Sequence, residues 1–178
     1  MGDPIRVPPV PGETEAGRAF WRALRARHPP LREAVVADAR ITARYRGERD
    51  EFTSRRDAAA QMLRLALVSD AYLGQVLYRL KASLQRRGVP ILPRIAHRLA
   101  MAVAQVSIGD PVLVHPGAVI GPFVTIGLRA GDVRGATIER GASLGTGAKV
   151  IGAVRIGAGA TVVGAPARPV SGDRASVS

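Results

Sequence analysis

Between Ile108 and Val162 the chain repeats every six residues. Aliphatic residues stand at Ile108, Val114, Ile120 and Ile126, and the series resumes in phase at Ile138, Leu144, Val150, Ile156 and Val162. Two residues before each lies a small or β-branched residue: Val106, Val112, Ala118, Val124, Ala136, Ala142, Ala148, Val154 and Ala160. Glycine often follows directly, as at Gly109, Gly121, Gly127, Gly145 and Gly157. A hexapeptide period of this kind signals a parallel β-helix. Each hexad supplies one short face, its aliphatic residue points inward, and stacked coils bury a continuous column. The small residue fits the crowded corner, and glycine accepts backbone angles that a Cβ would strain.

Composition agrees with a narrow aliphatic prism. Of 178 residues, 47% are hydrophobic but only 4% aromatic, so the core must come from Leu, Ile, Val and Ala. There is no cysteine, which removes disulfide and thiolate chemistry. No stretch reaches the length of a transmembrane helix. Met1 to Pro11 holds no apolar signal-peptide core, and a cytoplasmic location is expected. The formal charge of +12 attracts polyanions and anionic cofactors. No nucleic-acid motif or aromatic stacking surface accompanies that charge, so nucleic acid is not an expected partner.

The first half of the chain reads as helical. Residues 1–13 are proline-rich and expected to be loose. A helix is predicted from about Thr14 to His28, where Pro29-Pro30 stops it and opens a second helix through Val35, Val36 and Ile41. A third run covers about Glu51 to Val68. A fourth carries Leu73, Val76, Leu77, Leu80 and Leu84 at helical spacing and ends at Gly88 and Pro90. A fifth begins near Pro93 and delivers the chain to the first hexad. The fold class is therefore α+β: a helical region over 14–105, a β-helix over 106–170 and a loose tail over 171–178. The apolar helix faces must bury somewhere, by packing together, by capping the first coil or by self-association. A β-helix needs such a cap, because an open coil exposes unpaired backbone groups.

The six-residue code lapses once, between Ile126 and Ile138, in a stretch rich in Gly and Arg. The interval is twelve residues, so the phase survives and an extruded loop is predicted. Loops thrown out of a regular scaffold are where function concentrates.

Helices followed by hexapeptide coils resemble the serine O-acetyltransferase branch of the hexapeptide acyltransferases. The segments that carry the resemblance are Val114-His-Pro-Gly-Ala-Val-Ile-Gly121, Val124-Thr-Ile-Gly127, Leu144-Gly-Thr-Gly-Ala-Lys-Val-Ile-Gly152, Ile156-Gly-Ala-Gly-Ala160 and Val163-Gly-Ala-Pro-Ala-Arg-Pro-Val170. The resemblance implies a left-handed β-helix, a trimer or dimer of trimers, and acetyl-CoA as co-substrate in a cleft between neighbouring coils. It also implies acetyl transfer to a small hydroxyl acceptor, L-serine first. In the family a histidine takes the proton of the acceptor hydroxyl and an acidic residue orients it. This chain departs from that pattern. Ile108 aligns with the family's base, about one coil is missing between Gly109 and Val112, and a second family histidine aligns near Arg134. The alternative is therefore a catalytically degenerate homologue that acts as a binding or assembly partner.

Three histidines are present. His28 precedes two prolines at a helix end, where it can meet the terminal carbonyls. His97 sits among Arg94, Arg98 and Leu99, as a surface or cap residue. His115 alone lies in the β-helix, at a corner near the coil surface, and is the candidate base. Asp110 is the candidate carboxylate partner, with Asp132 as a second. A pantetheine arm would approach the open backbone around Gly127, Gly147, Ala148 and Ala160, and Lys149 and Arg168 would face the CoA phosphates. Arg129 and Arg134 are weaker phosphate candidates, and no metal site is expected. Trp21, Tyr72 and Tyr78 read as packing residues.

Overall fold

The computed structural model describes residues 14–129 and 134–170. Helix α1 is Glu15–Ala26, α2 Leu31–Tyr45, α3 Arg55–Val68, α4 Asp70–Arg86 and α5 Leu92–Leu99. Short polar side chains set three of the starts. The Thr14 hydroxyl accepts the N–H of Gly17 at 2.9 Å, Ser54 accepts that of Asp57 at 3.1 Å, and Ser69 accepts that of Tyr72 at 3.3 Å. The third helix thus begins at Arg55 rather than Glu51, because Ser54 caps it. A π-helical turn, Ala100–Ala104, joins α5 to the coils through Gln105 in the left-handed region at φ 51°.

The hexads fold as their period requires, into a left-handed β-helix. Strands β1 (Ser107–Ile108), β4 (Thr125–Gly127) and β7 (Lys149–Ile151) stack in parallel to form one face. Strands β2 (Leu113–Val114), β5 (Thr137–Ile138) and β8 (Arg155–Ile156) form the second. The third holds β3 (Val119–Ile120), β6 (Ser143–Leu144) and β9 (Thr161–Val163). A final strand, β10 (Arg168–Pro169), turns back antiparallel on β9. All nine in-phase aliphatic residues are buried, none more than 3% exposed. Burying such a side chain contributes about 1.5–3 kcal/mol each, so this column supplies most of the drive to form the prism.

The register measures the irregular stretch. Ile108 pairs with Ile126, eighteen residues on, but Val114 pairs with Ile138, twenty-four on. One hexad's worth of chain is therefore extruded between β4 and β5, and every later strand still finds its place. Residues 130–133, with Asp132, lie outside the described residues.

Helix α4 caps the open end of the first coil, and it does so with polar side chains. Peptide N–H groups at Ser107 and Leu113 point down to the carbonyls of Val124 and Ala136 in the second coil. Residues of the opposite parity point the other way and would lack partners. Lys81 donates to the carbonyl of Ile108 at 2.7 Å, Tyr78 to that of Val112 at 3.0 Å, and Gln75 to that of Ala118 at 2.7 Å. Arg79 donates to the carbonyls of Val114 and His115. Its other edge meets Asp38 of α2 at 2.8 and 3.2 Å, and Asp38 in turn accepts the N–H of Gly117 at 2.8 Å. The Asp38 and Arg79 side chains are 0% and 2% exposed.

This arrangement corrects the reading of α4 from its leucine stripe. Leu80 is 37% exposed, whereas Gln75, Arg79 and Lys81 are buried. The apolar stripe leans toward α2 and α3, where Val76 joins a small cluster of Ala39, Ala43, Leu65 and Tyr72. The polar face goes inward because unpaired carbonyls cost more than buried donors that satisfy them. Gly74 lets the helix approach this closely: a Cβ there would lie 3.0 Å from both Ala104 Cβ and Val106 Cγ2.

Asp38→Ala should lower unfolding free energy in urea by about 3–5 kcal/mol, because it strands a buried guanidinium. Adding Arg79→Met should not restore stability, since two coil carbonyls and the Gly117 N–H would then stand unpaired. Full recovery in the double variant would show that the pair makes no contribution as a cap.

Candidate functional site

His115 occupies the corner after β2, where the sequence places it. Its N–H donates to the carbonyl of Ile138 at 2.8 Å, which fixes the stacking of the first two coils at this corner. Below it in the second coil stands Glu139, whose N–H continues to Ile156 at 3.0 Å. His115 Nε2 lies 3.6 Å from Glu139 Oε2, with the side chains 39% and 19% exposed. Arg155 of the third coil grips the other oxygen of Glu139 at 2.9 Å. Imidazole, carboxylate and guanidinium thus follow one another down three coils. Glu139 stands beside the Nε2 edge of the His115 ring, just beyond direct hydrogen-bond reach.

The carboxylate expected beside His115 lies elsewhere. Asp110 meets Lys81 at 2.7 Å, at the corner between β1 and β2. Burial works against its charge, but the Lys81 ammonium and a Gln85 hydrogen bond outweigh that, and its carboxyl sits below the ordinary value. No ion pair among the described residues joins Asp110 to His115. Asp110 instead shares a cleft of about 450 Å³ with Lys81, Gln85 and His97. Burial and Lys81 hold His97 below the usual imidazole value, with Asp110 opposing them.

Glu139 escaped the sequence reading because the period alone places no residue under His115. The signal was available in the loop. Counting the extruded hexad sets the offset at twenty-four residues, the same as the Val114 to Ile138 pairing, and that lands on Glu139.

The coenzyme-side residues divide by what they leave open. Gly127 and Gly147 have nothing within 4 Å of an added Cβ, and Gly147 has φ 73°, so both corners are bare backbone. Ala148 and Ala160 are buried at 0% and 4% exposure. Their peptide groups are spent within the coils: Ala148 donates to Gly145 and accepts from Thr125, and Ala160 donates to Gly157 and accepts from Ser143. Lys149 Nζ rests on the carbonyl of Phe123 at 2.8 Å and the hydroxyl of Thr125 at 2.9 Å. Arg168 is exposed on β10, and the chain beside it is tied to Lys149, whose carbonyl accepts the N–H of Ala167 at 2.8 Å. Arg129 and Arg134 are exposed at the two ends of the extruded loop. No metal-binding cluster occurs among the described residues, and no helix there is long and apolar enough to cross a membrane.

No family model and no curated protein sequence matches the chain. Solved structures do match. Serine acetyltransferase from Brucella abortus strain S19 aligns over 86% of this chain and 74% of its own, with a TM-score of 0.55 at 17% identity. Soybean serine acetyltransferase, as the apoenzyme, aligns over 86% and 72%, with a TM-score of 0.52 at 24% identity. The Neisseria gonorrhoeae enzyme aligns over 79% and 66%, with a TM-score of 0.52 at 21% identity. The fold is that of the serine acetyltransferases. The alignment extends beyond the coils, which span only 106–170, into the helical region that the sequence matched in general layout alone.

His28 carries a pH signature of its own. It is buried between α1 and α4, with Nδ1 unpartnered and its ring 6.2 Å from that of Tyr78. Burial, with Arg79, Lys81, Arg86 and Arg27 nearby, lowers its pKa from 6.5 to about 4. The native state therefore resists protonation that the unfolded chain accepts. The associated stability is complete above pH 6.5 and is lost as pH falls toward 4. Over that window the wild type should lose about 3 kcal/mol more than His28→Gln, as read from urea unfolding curves. Parallel curves for the two proteins would rule out this histidine as a source of acid sensitivity.

Proposed function

We propose that the chain is an acyltransferase that moves the acetyl group of acetyl-CoA to the hydroxyl of a small acceptor, with L-serine the first candidate. The observation that carries this reading is the imidazole and carboxylate of His115 and Glu139, half-buried side by side at one corner of a serine acetyltransferase fold. His115 would take the acceptor's hydroxyl proton as the oxygen attacks the thioester carbonyl. Collapse of the tetrahedral intermediate breaks the C–S bond, and the imidazolium returns the proton to the departing thiolate. The Glu139 carboxylate would face the imidazolium as it forms, and Arg155 holds Glu139 in place.

The Asp110 role proposed from the sequence becomes a structural one in this scheme: with Lys81 it fixes the first corner. Acetyl-CoA would lie along the last coils. Gly127 and Gly147 would admit the pantetheine arm, Ala148 and Ala160 would keep that wall flat by their small size, and Lys149 and Arg168 would receive the phosphates. The site would be completed in a trimer, whose mass sedimentation velocity would report. The second reading is a catalytically inactive homologue that serves as a binding or assembly partner. The observation favouring it is Ile108 standing where the family's base aligns, in a prism of only three coils.

Release of free thiol from acetyl-CoA with serine tests the proposal. His115→Ala should lower kcat by about 10²–10⁴-fold while CoA still binds. Glu139→Gln should fall between that variant and the wild type. Wild-type turnover that survives His115→Ala would exclude this base, and no wild-type turnover with small hydroxyl acceptors would favour the inactive homologue.

The coenzyme orientation has a separate test. CoA should raise the melting temperature by mass action. Lys149→Glu or Arg168→Glu should weaken CoA more than dephospho-CoA; equal losses for the two ligands would remove both residues from the 3′-phosphate contact.

A further inference from the structure

A groove of about 780 Å³ runs between α2 and the corners of the first two coils. Its size is that of a small-molecule site, for which about 300–1,000 Å³ is usual. One wall is helical and carries Arg32, Arg40 and Arg44; the other is the coil corner, with Arg140 beside Gly141. Glu33 is the one carboxylate in the lining, against four guanidinium groups. Two of those groups are already engaged. Arg40 lies over the Phe52 ring at 5.7 Å, and Arg44 pairs with Asp50 at 2.6 Å. Arg32 and Arg140, on opposite walls, make no ion pair among the described residues. Between them Val36, Ala37 and Ile41 give the helical wall an apolar strip, and Pro116 extends it on the floor. The floor is tied to the helical region, because Gly117 donates to the buried Asp38.

We propose that this groove binds a phosphorylated organic molecule of nucleotide size, clamped by Arg32 and Arg140. The guanidinium fork matches phosphate oxygens two at a time, which a lysine cannot do. The apolar strip adds area for an uncharged ring or chain, so an organic phosphate should outbind a bare inorganic one. The floor residues Pro116-Gly117 and the wall residues Arg140-Gly141 directly follow His115 and Glu139 in sequence, which sets the ligand beside the candidate catalytic corner. The proposal does not depend on acyl transfer, since binding is measured on the chain alone.

Calorimetric titration of the full chain with ADP, and separately with inorganic pyrophosphate, tests it. ADP should bind saturably, and Arg32→Ala and Arg140→Ala should each weaken it by about tenfold. Arg55→Ala/Arg56→Ala, which removes twice the charge of either single variant from the exposed start of α3, should leave it unchanged. Arg140→Lys should recover only part of the loss. Equal weakening by the α3 pair would overturn the clamp in favour of general attraction to a basic chain. Pyrophosphate binding as tightly as ADP would overturn the organic ligand, and the lack of saturable binding with either probe would overturn the site.

Discussion

Arg79 holds the two halves of the molecule together. One edge of its guanidinium faces Asp38 of α2 and the other faces the carbonyls of Val114 and His115. A β-helix end is a sheet edge in three directions, and an edge left open either recruits another chain or frays. Here Gln75, Tyr78, Arg79 and Lys81 close it from a single helix. Burial pushes the Asp38 carboxyl up from its ordinary value, while Arg79 and the Gly117 N–H pull against it. The desolvation cost of this ion pair is offset by its further bonds to the coil carbonyls and the Gly117 N–H. The pair sets one rotation of the helical region against the prism, and with it the groove wall and the corner beneath His115.

Much of this was legible in the chain, and the unequal legibility has a physical cause. The aliphatic phase named the column from Ile108 to Val162, because burial at a fixed period leaves a compositional trace. The helix starts near Thr14 and Pro30 were readable from the local sequence. The role of α4 was not. Leu73, Val76, Leu77, Leu80 and Leu84 advertise an apolar face, of which Leu77 is buried, yet the bonds that close the coil come from Gln75, Arg79 and Lys81, whose partners are carbonyls that carry no sequence identity. Glu139 was hidden for a related reason: its neighbour across the coil depends on how much chain is extruded between β4 and β5.

The candidate site is less constrained than the scaffold that bears it. The corner geometry follows from the fold, but hexad corners are solvent-facing and accept many residues, so His115 and Glu139 are choices that the fold does not force. The same holds for Lys149, whose ammonium is already satisfied by the coil above it. Ala148 and Ala160, by contrast, are required by packing and leave no free peptide group for a ligand. A matching fold at 17–24% identity carries the scaffold across, and the chemistry must be argued corner by corner.

The two ends of the prism are closed by different devices: α4 above and the returning strand β10 below. Among the described residues, the side-chain bonds of α4 reach the first coil and the backbone bonds of the β10 segment reach the last. A β-helix of this kind is quasi-one-dimensional, each coil bonding only to its neighbours. Whole coils can therefore be gained or lost between the two closures without rebuilding either one, provided the change is a multiple of the turn. The extruded hexad shows the same tolerance on a smaller scale. Chain length in this fold is thus a quantised variable, stepping by whole coils between two fixed closures.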